Sequence, residues 1–164
     1  MLAMLPQIHF LVGLVASVVL YFGFDVGVLG CFVFFVASVG IDVDHYLYYV
    51  YRKGDWSLRR AFGWFSKNKN ALRKADVKTR REFYLGFCFL HGIEVLALVW
   101  LLGYFVWDVF YFVALGFLFH LIFDHIDQAI VKGRFDKFSI VYDYFKYKRL
   151  AFVEEFEGLA KLKK

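Results

Sequence analysis

Four long apolar segments between Ile8 and Phe123 limit what this chain can fold into. They run from about Ile8 to Phe24, Val26 to Ile41, Phe83 to Trp107 and Val109 to Phe123. A helix needs about 20 apolar residues, and at least about 17, to cross the hydrocarbon core of a bilayer. The second and fourth segments fall slightly short, so each is expected to continue through its polar end. The links around Phe24-Asp25 and Trp107-Asp108 are very short, which makes each pair an antiparallel hairpin. The expected fold is therefore all-α, an integral membrane four-helix bundle. With 164 residues and 61% hydrophobic content, the chain is too apolar for a water-soluble domain of this size and has no room for a second fold.

Charge sets the orientation. All 20 Lys and Arg fall in two blocks, Arg52 to Arg81 and Lys132 to Lys164, and none lies among the apolar segments. The net charge of +5 is thus read as topology rather than as a nucleic-acid surface. The positive-inside rule puts the stretch from Tyr46 to Glu82 and the C-terminal tail in the cytoplasm, so both termini lie inside. The plasma (inner) membrane is the expected location, crossed several times. Trp100 and Trp107 near the outer turn, and Tyr46, Tyr48, Tyr49 and Tyr51 near the inner one, suit aromatic belts.

The expected organisation is a transmembrane domain over 1–130, with the basic loop 46–82 inserted, and a basic amphipathic tail over 131–164. From Asp136 onward apolar residues recur at helical spacing beside lysines, as in a helix lying in the interface. The stretch from Trp56 to Phe65 reads the same way. Packing of these aromatics on the bundle itself is the competing reading. Cys31 and Cys88 show no CxxC spacing and read as small core residues, with neither a disulfide nor a thiolate metal site expected. A cleavable signal peptide is not expected, because no basic stretch precedes the first apolar segment and no A-x-A site follows it.

The five histidines, His9, His45, His91, His120 and His125, all lie in or at the end of an apolar segment. Four have a carboxylate close by: Asp42 and Asp44 before His45, Glu94 after His91, and Asp124 between His120 and His125. Ionisable groups in a bilayer are costly and mark working sites. Imidazole with carboxylate is also the ligand set of a zinc- or manganese-type centre. In the topology above, His9, Asp42, Asp44, His45, His120, Asp124 and His125 share the cytoplasmic leaflet. As helical residues, His91 and Glu94 would lie roughly 12–17 Å into the third segment.

Residues three, four and seven apart share a helix face. Asp42 with His45, His91 with Glu94, and His120 with Asp124 and Asp127 therefore can each point inward. Asp44 and His125 fall off these stripes. Each is expected to support a ligand, or to need a break at the helix end. Asp127 is placed with His125 in a supporting role. Ser38, Gly13 and Gly116 lie on the same stripes and allow close helix approach.

Taken together, a leading His9, then Asp42-Val43-Asp44-His45 after the second segment, His91 early in the third, and Gly116, His120 and Asp124 in the fourth resemble the LexA-regulated, membrane-bound metal-dependent hydrolase family. The resemblance covers roughly the first 130 residues and leaves out the tail. Two departures stand out. Gly40 and Ile41 occupy the stretch where the family commonly has proline, and Phe89-Leu90-His91-Gly92-Ile93-Glu94 offers one histidine where the family has two. The resemblance implies a hydrolase with some logic similar to zinc-dependent phospholipase C, and supplies no substrate.

The function expected is metal-dependent hydrolysis of a phosphoester in a lipid or lipid-linked substrate, with one or two Zn or Mn ions. Asp42, His45, His120 and Asp124 are the first-choice ligands, with His9 and His91 next. Glu94 or Asp44 would be the general base, or would orient a ligand histidine. Arg59, Arg60, Arg80 and Arg81 would draw an anionic headgroup, although lipid anchoring is the preferred reading of any single one of them. Membrane lipid is the expected partner, nucleic acid is not, and a homo-oligomer stays open.

A divalent-metal or proton transporter is the rival from another class. A transport path should carry polar residues across the whole bilayer, and here the outer halves offer only Asp25 and Asp108. A di-iron hydroxylase would need more histidines, in H-x-x-H-H pairs. A metal-free scaffold is the remaining alternative.

Overall fold

A computed structural model describes residues 6–74, 76, 78, 82–132 and 137–152. The chain is helical almost throughout. Helix α1 (Pro6–Phe24) turns at Asp25, whose φ of 52° closes the short link, and is followed by α2 (Val28–Gly40). Helix α3 (Val43–Lys53) continues the line of α2 after a two-residue break, and α4 (Leu58–Lys74) returns across its end. Then come the short strand β1 (Phe83–Tyr84), an irregular stretch, and helices α5 (Ile93–Phe105) and α6 (Val109–Lys132). Helix α7 (Ile140–Arg149) and strand β2 (Ala151–Phe152) complete the described chain.

Three stretches are long and apolar enough to cross a membrane: Gln7–Phe24, Val28–Lys53 and Val109–Ile130. Only 17% of the first window is buried inside the protein, so its apolar side chains face outward. Phe10, Leu11, Val15 and Val18 are all exposed there. Apolar side chains turned outward on a long helix indicate a membrane protein.

Helix α2 is central and packs against both α1 and α6, and α5 packs against α6. The α2–α6 contact depends on Gly116. A Cβ there would come within 2.6 Å of the Phe34 carbonyl oxygen and 2.8 Å of Ala37 Cβ. Small residues let backbones approach this closely where lipid supplies no hydrophobic drive between helices.

The third apolar segment is not one helix. Residues 85–92 are irregular, and α5 starts only at Ile93, which leaves 13 residues. Two features explain the interruption. Phe83 and Tyr84 pair in parallel with Ala151 and Phe152, so their backbone groups bond outside any helix. The loop beyond them is partly buried, at Gly86, Cys88, His91 and Gly92, and Gly86 and Cys88 line a cavity. Irregular backbone at membrane depth is tolerated in such a place.

The second segment also departs from a continuous helix. It breaks at Ile41-Asp42 before resuming as α3, whereas the fourth runs unbroken through its polar end. Both amphipathic helices expected outside the apolar segments are present, as α4 and α7. The tail beyond Phe152, with its expected helical spacing, lies outside the described residues. The tyrosines expected in an inner aromatic belt divide: Tyr51 is exposed, but Tyr48 and Tyr49 are buried against Trp64 of α4. Bundle packing accounts for these two, because α4 lies directly over the end of α3.

At the start of α4, Asp55 accepts from the Arg60 guanidinium through both oxygens and from the Ser57 amide. The bonds from Arg60, and then from Tyr49, hold the Asp55 carboxyl well below the usual aspartate range.

Candidate metal centre

The break between α2 and α3 builds the site. The last carbonyls of a helix lack intrahelical partners. Ser38, in the final turn of α2, therefore has a carbonyl to offer, and His120 Nδ1 donates to it at 2.8 Å. Gly116, one turn before His120, is what lets α6 come close enough for that bond. The break also re-aims α3, so that Asp44, off the stripe of a continuous helix, turns fully inward.

Asp44 is completely buried and organises two histidines. Its Oδ2 accepts from His91 Nδ1 at 2.9 Å and from the Leu90 amide at 2.9 Å. Its Oδ1 accepts from His45 Nδ1 at 2.9 Å. With Nδ1–H donating to a carboxylate in His91 and to a carbonyl in His120, both rings carry their lone pair on Nε2. Those two nitrogens face each other 3.3 Å apart. Asp42 Oδ1 lies 3.5 Å from each of them.

Three electron-pair donors pointed at one another repel unless a proton or a metal cation lies among them. A tetrahedral ion with bonds of about 2.0–2.1 Å holds its ligands roughly 3.3–3.4 Å apart. The spacing of His91, His120 and Asp42 fits that requirement closely. Buried His, Asp and Cys groups here can thus hold a metal ion, with these three as the best-formed set.

Asp124 flanks the trio. Its Oδ2 is 3.8 Å from both Nε2 atoms and 2.5 Å from Lys137 Nζ. Its Oδ1 is 3.2 Å from His9 Nε2. The His9 ring stacks on His120 at 4.1 Å with a 20° interplanar angle. His9, His120 and Asp124, all buried, thus make a set of candidate ligands that overlaps the trio at His120.

His45 is turned the other way. Its Nδ1 serves Asp44 and Asp42, while its Nε2 meets Lys137 Nζ at 3.0 Å and Cys88 Sγ at 3.4 Å. Asp44, His45, Cys88 and His91 form a second group of candidate ligands. A cavity of about 710 Å³ reaches this chemistry, with Asp42, Asp124, His45, Cys88 and Lys137 on its wall. Helix α4 contributes much of the rest through Leu58, Phe62 and Phe65.

Other expected residues lie apart. Glu94 opens α5 instead of sharing a helix face with His91, because His91 belongs to the loop and Gly92 is the extended residue between them. The Glu94 carboxylate accepts from Ser139 Oγ and the Ile140 amide, which ties α7 to α5. Among the described residues, Glu94 belongs to none of the candidate metal-ligand groups. A Cβ at Gly92 would meet Ile140 Cγ1 at 2.5 Å, so glycine is needed for this junction.

His125 Nδ1 donates to the Leu121 carbonyl of its own helix, 2.6 Å away. Asp127 pairs with Lys69 of α4 at 3.0 Å on the cavity wall. Arg60 is engaged by Asp55, Arg59 is exposed, and Arg80 and Arg81 lie outside the described residues.

Two participants escaped the sequence reading. Cys88 is buried in the core as expected, and it also borders His45. Lys137 is one of 20 basic residues, and no local pattern separates it from the others. Burial alone would lower its pKa, but the Asp124 carboxylate overrides that and holds the ammonium above the usual lysine range. Comparison of the chain with protein-family models, curated proteins and solved structures finds no match.

Proposed function

We propose that this protein is a membrane-embedded, metal-dependent hydrolase that cleaves a phosphoester of a lipid or lipid-linked substrate. The observation that carries the reading is the convergence of His91 Nε2, His120 Nε2 and Asp42 Oδ1 within 3.3–3.5 Å beside a cavity. Three protein ligands with room for a further group is the pattern of a catalytic rather than a structural ion, and Zn or Mn suits the donor set. When bound, the ion lowers the pKa of coordinated water and offsets charge on phosphoryl oxygens.

The protein's own residues have separable tasks. Asp44 orients His91, and the Ser38 carbonyl orients His120. Asp124, with His9 and Lys137 on its two oxygens, positions water or substrate at the cavity end of the trio. Asp44, already accepting three hydrogen bonds, is an orienting group and not a general base. The apolar wall from α4 suits the hydrocarbon part of an amphiphile, which favours a lipid over a free phosphoester.

In this reading the apolar helices form a four-helix bundle in the inner membrane with both termini in the cytoplasm. The site then opens to the cytoplasmic leaflet, on the side of the basic segments.

The test is metal analysis of detergent-purified protein, followed by assay of phosphate and headgroup release over a panel of phospholipids and lipid pyrophosphates. Stoichiometric metal and turnover, both abolished in His120→Ala, are expected. Metal-loaded protein inactive on the whole panel, with metal carried across proteoliposome membranes, would replace hydrolysis by transport.

A further inference from the structure

We infer that Lys137 is a built-in second cation: its ammonium takes the place a second metal ion would fill, so the centre holds one divalent ion and one lysine. The inference rests on the metal-centre reading above and concerns residues beyond its ligand trio.

Lys137 Nζ lies against Asp124 Oδ2 at 2.5 Å and His45 Nε2 at 3.0 Å. Cys88 Sγ is 3.4 Å from the same His45 nitrogen. A carboxylate oxygen, an imidazole nitrogen whose other nitrogen donates to Asp44, and a thiol sulfur are metal-ligand chemistry. Asp124 also borders the trio, as a carboxylate shared between two cations would. The ammonium lies between Asp124 and the candidate ligand group of Asp44, His45, Cys88 and His91, and its side chain is only 16% exposed.

Charge gives a second argument. Asp42, Asp44 and Asp124 bring three negative charges to one buried region. One divalent ion and one ammonium balance the three carboxylates. Near-neutrality matters because unpaired charge is costly away from water. Two divalent ions beside Lys137 would overshoot. Two divalent ions without it would balance only if Cys88 also lost its proton.

The backbone supplies a third argument. Lys137 has a φ of 62°, a left-handed conformation uncommon outside glycine, asparagine and aspartate. Such conformations cluster where a side chain must be aimed at a functional site.

The experiment is metal titration of the full chain in detergent, using Zn²⁺ for stoichiometry and Co²⁺ for spectroscopy. Wild type is expected to bind one ion per chain. Lys137→Met keeps the length of the stem and removes the charge. It is expected to bind two, with a sulfur-to-cobalt charge-transfer band as Cys88 gives up its proton. Lys137→Arg should return to one ion, and Lys137→Met with Cys88→Ala should lose the band.

Lys137→Met that elutes as wild type and still binds one ion would overturn the inference and leave the metal centre standing. Wild type that already binds two ions does the same without any variant. Wild type that binds none overturns the metal centre itself, and this inference with it. If Lys137→Met does not purify as a folded species, Lys137→Gln carries the same test.

Discussion

At the scale of single residues, the centre depends on which nitrogen each histidine presents. Asp44 and the Ser38 carbonyl take the Nδ1 protons of His91 and His120, and that alone turns both lone pairs toward each other. Asp44→Asn is therefore expected to weaken metal binding by about 10–100-fold while the helices stay folded, the usual effect of losing a partner behind a ligand. Chelator competition on the purified variant checks it, and unchanged affinity would mean that Asp44 only packs. His91→Ala or Asp42→Ala removes a ligand outright. Each should abolish stoichiometric binding, whereas Glu94→Gln should leave the metal content at the wild-type value because its carboxylate serves Ser139 and Ile140.

At the scale of elements, the close packing of α6 on α2 holds His120 to Ser38. Gly116→Leu would drive a side chain into the Phe34 carbonyl and Ala37. Overpacking of this kind costs about 1–3 kcal/mol. A lower thermal midpoint in detergent together with loss of metal is expected, since the same displacement moves His120. The start of α4 predicts a pH effect. The Asp55 carboxyl is depressed by Arg60 and Tyr49, so its contribution is present above the ordinary aspartate value of about 4 and is lost as pH falls through its lower folded value. Asp55→Asn should mimic the acid form at neutral pH. Faster limited proteolysis between α3 and α4, in the variant at pH 7 and in wild type only under strong acid, is the expected result.

At the scale of the whole molecule, three apolar stretches of spanning length and the segregation of basic residues predict one orientation. Protease added to sealed right-side-out vesicles should spare the segment between Arg52 and Arg81. Added to inverted vesicles, it should cut there. Cleavage in the first case would invert the topology and move the proposed site to the other leaflet.

Much of this architecture was legible in the sequence. Helical class, the apolar segments and the amphipathic α4 follow from periodicity and length, which are local properties. The gathering of His9, Asp42, His45, His91, His120 and Asp124 was readable too, because an ionisable group in an apolar segment is itself a signal. Three things were decided only by tertiary structure. The third segment is interrupted because β1 pairs with β2, a contact between residues 83–84 and 151–152 that no local window contains. Helical phase then failed for His91 and Glu94 and sent the carboxylate to α7. The break at Ile41-Asp42 turned Asp44 inward and His45 toward Lys137. Lys137 itself came from a tail that reads as a basic amphipathic segment lying in the interface. Apolar runs and charge are written one residue at a time, but a metal centre is a set of lone pairs meeting at a point, and only the folded chain determines where they point.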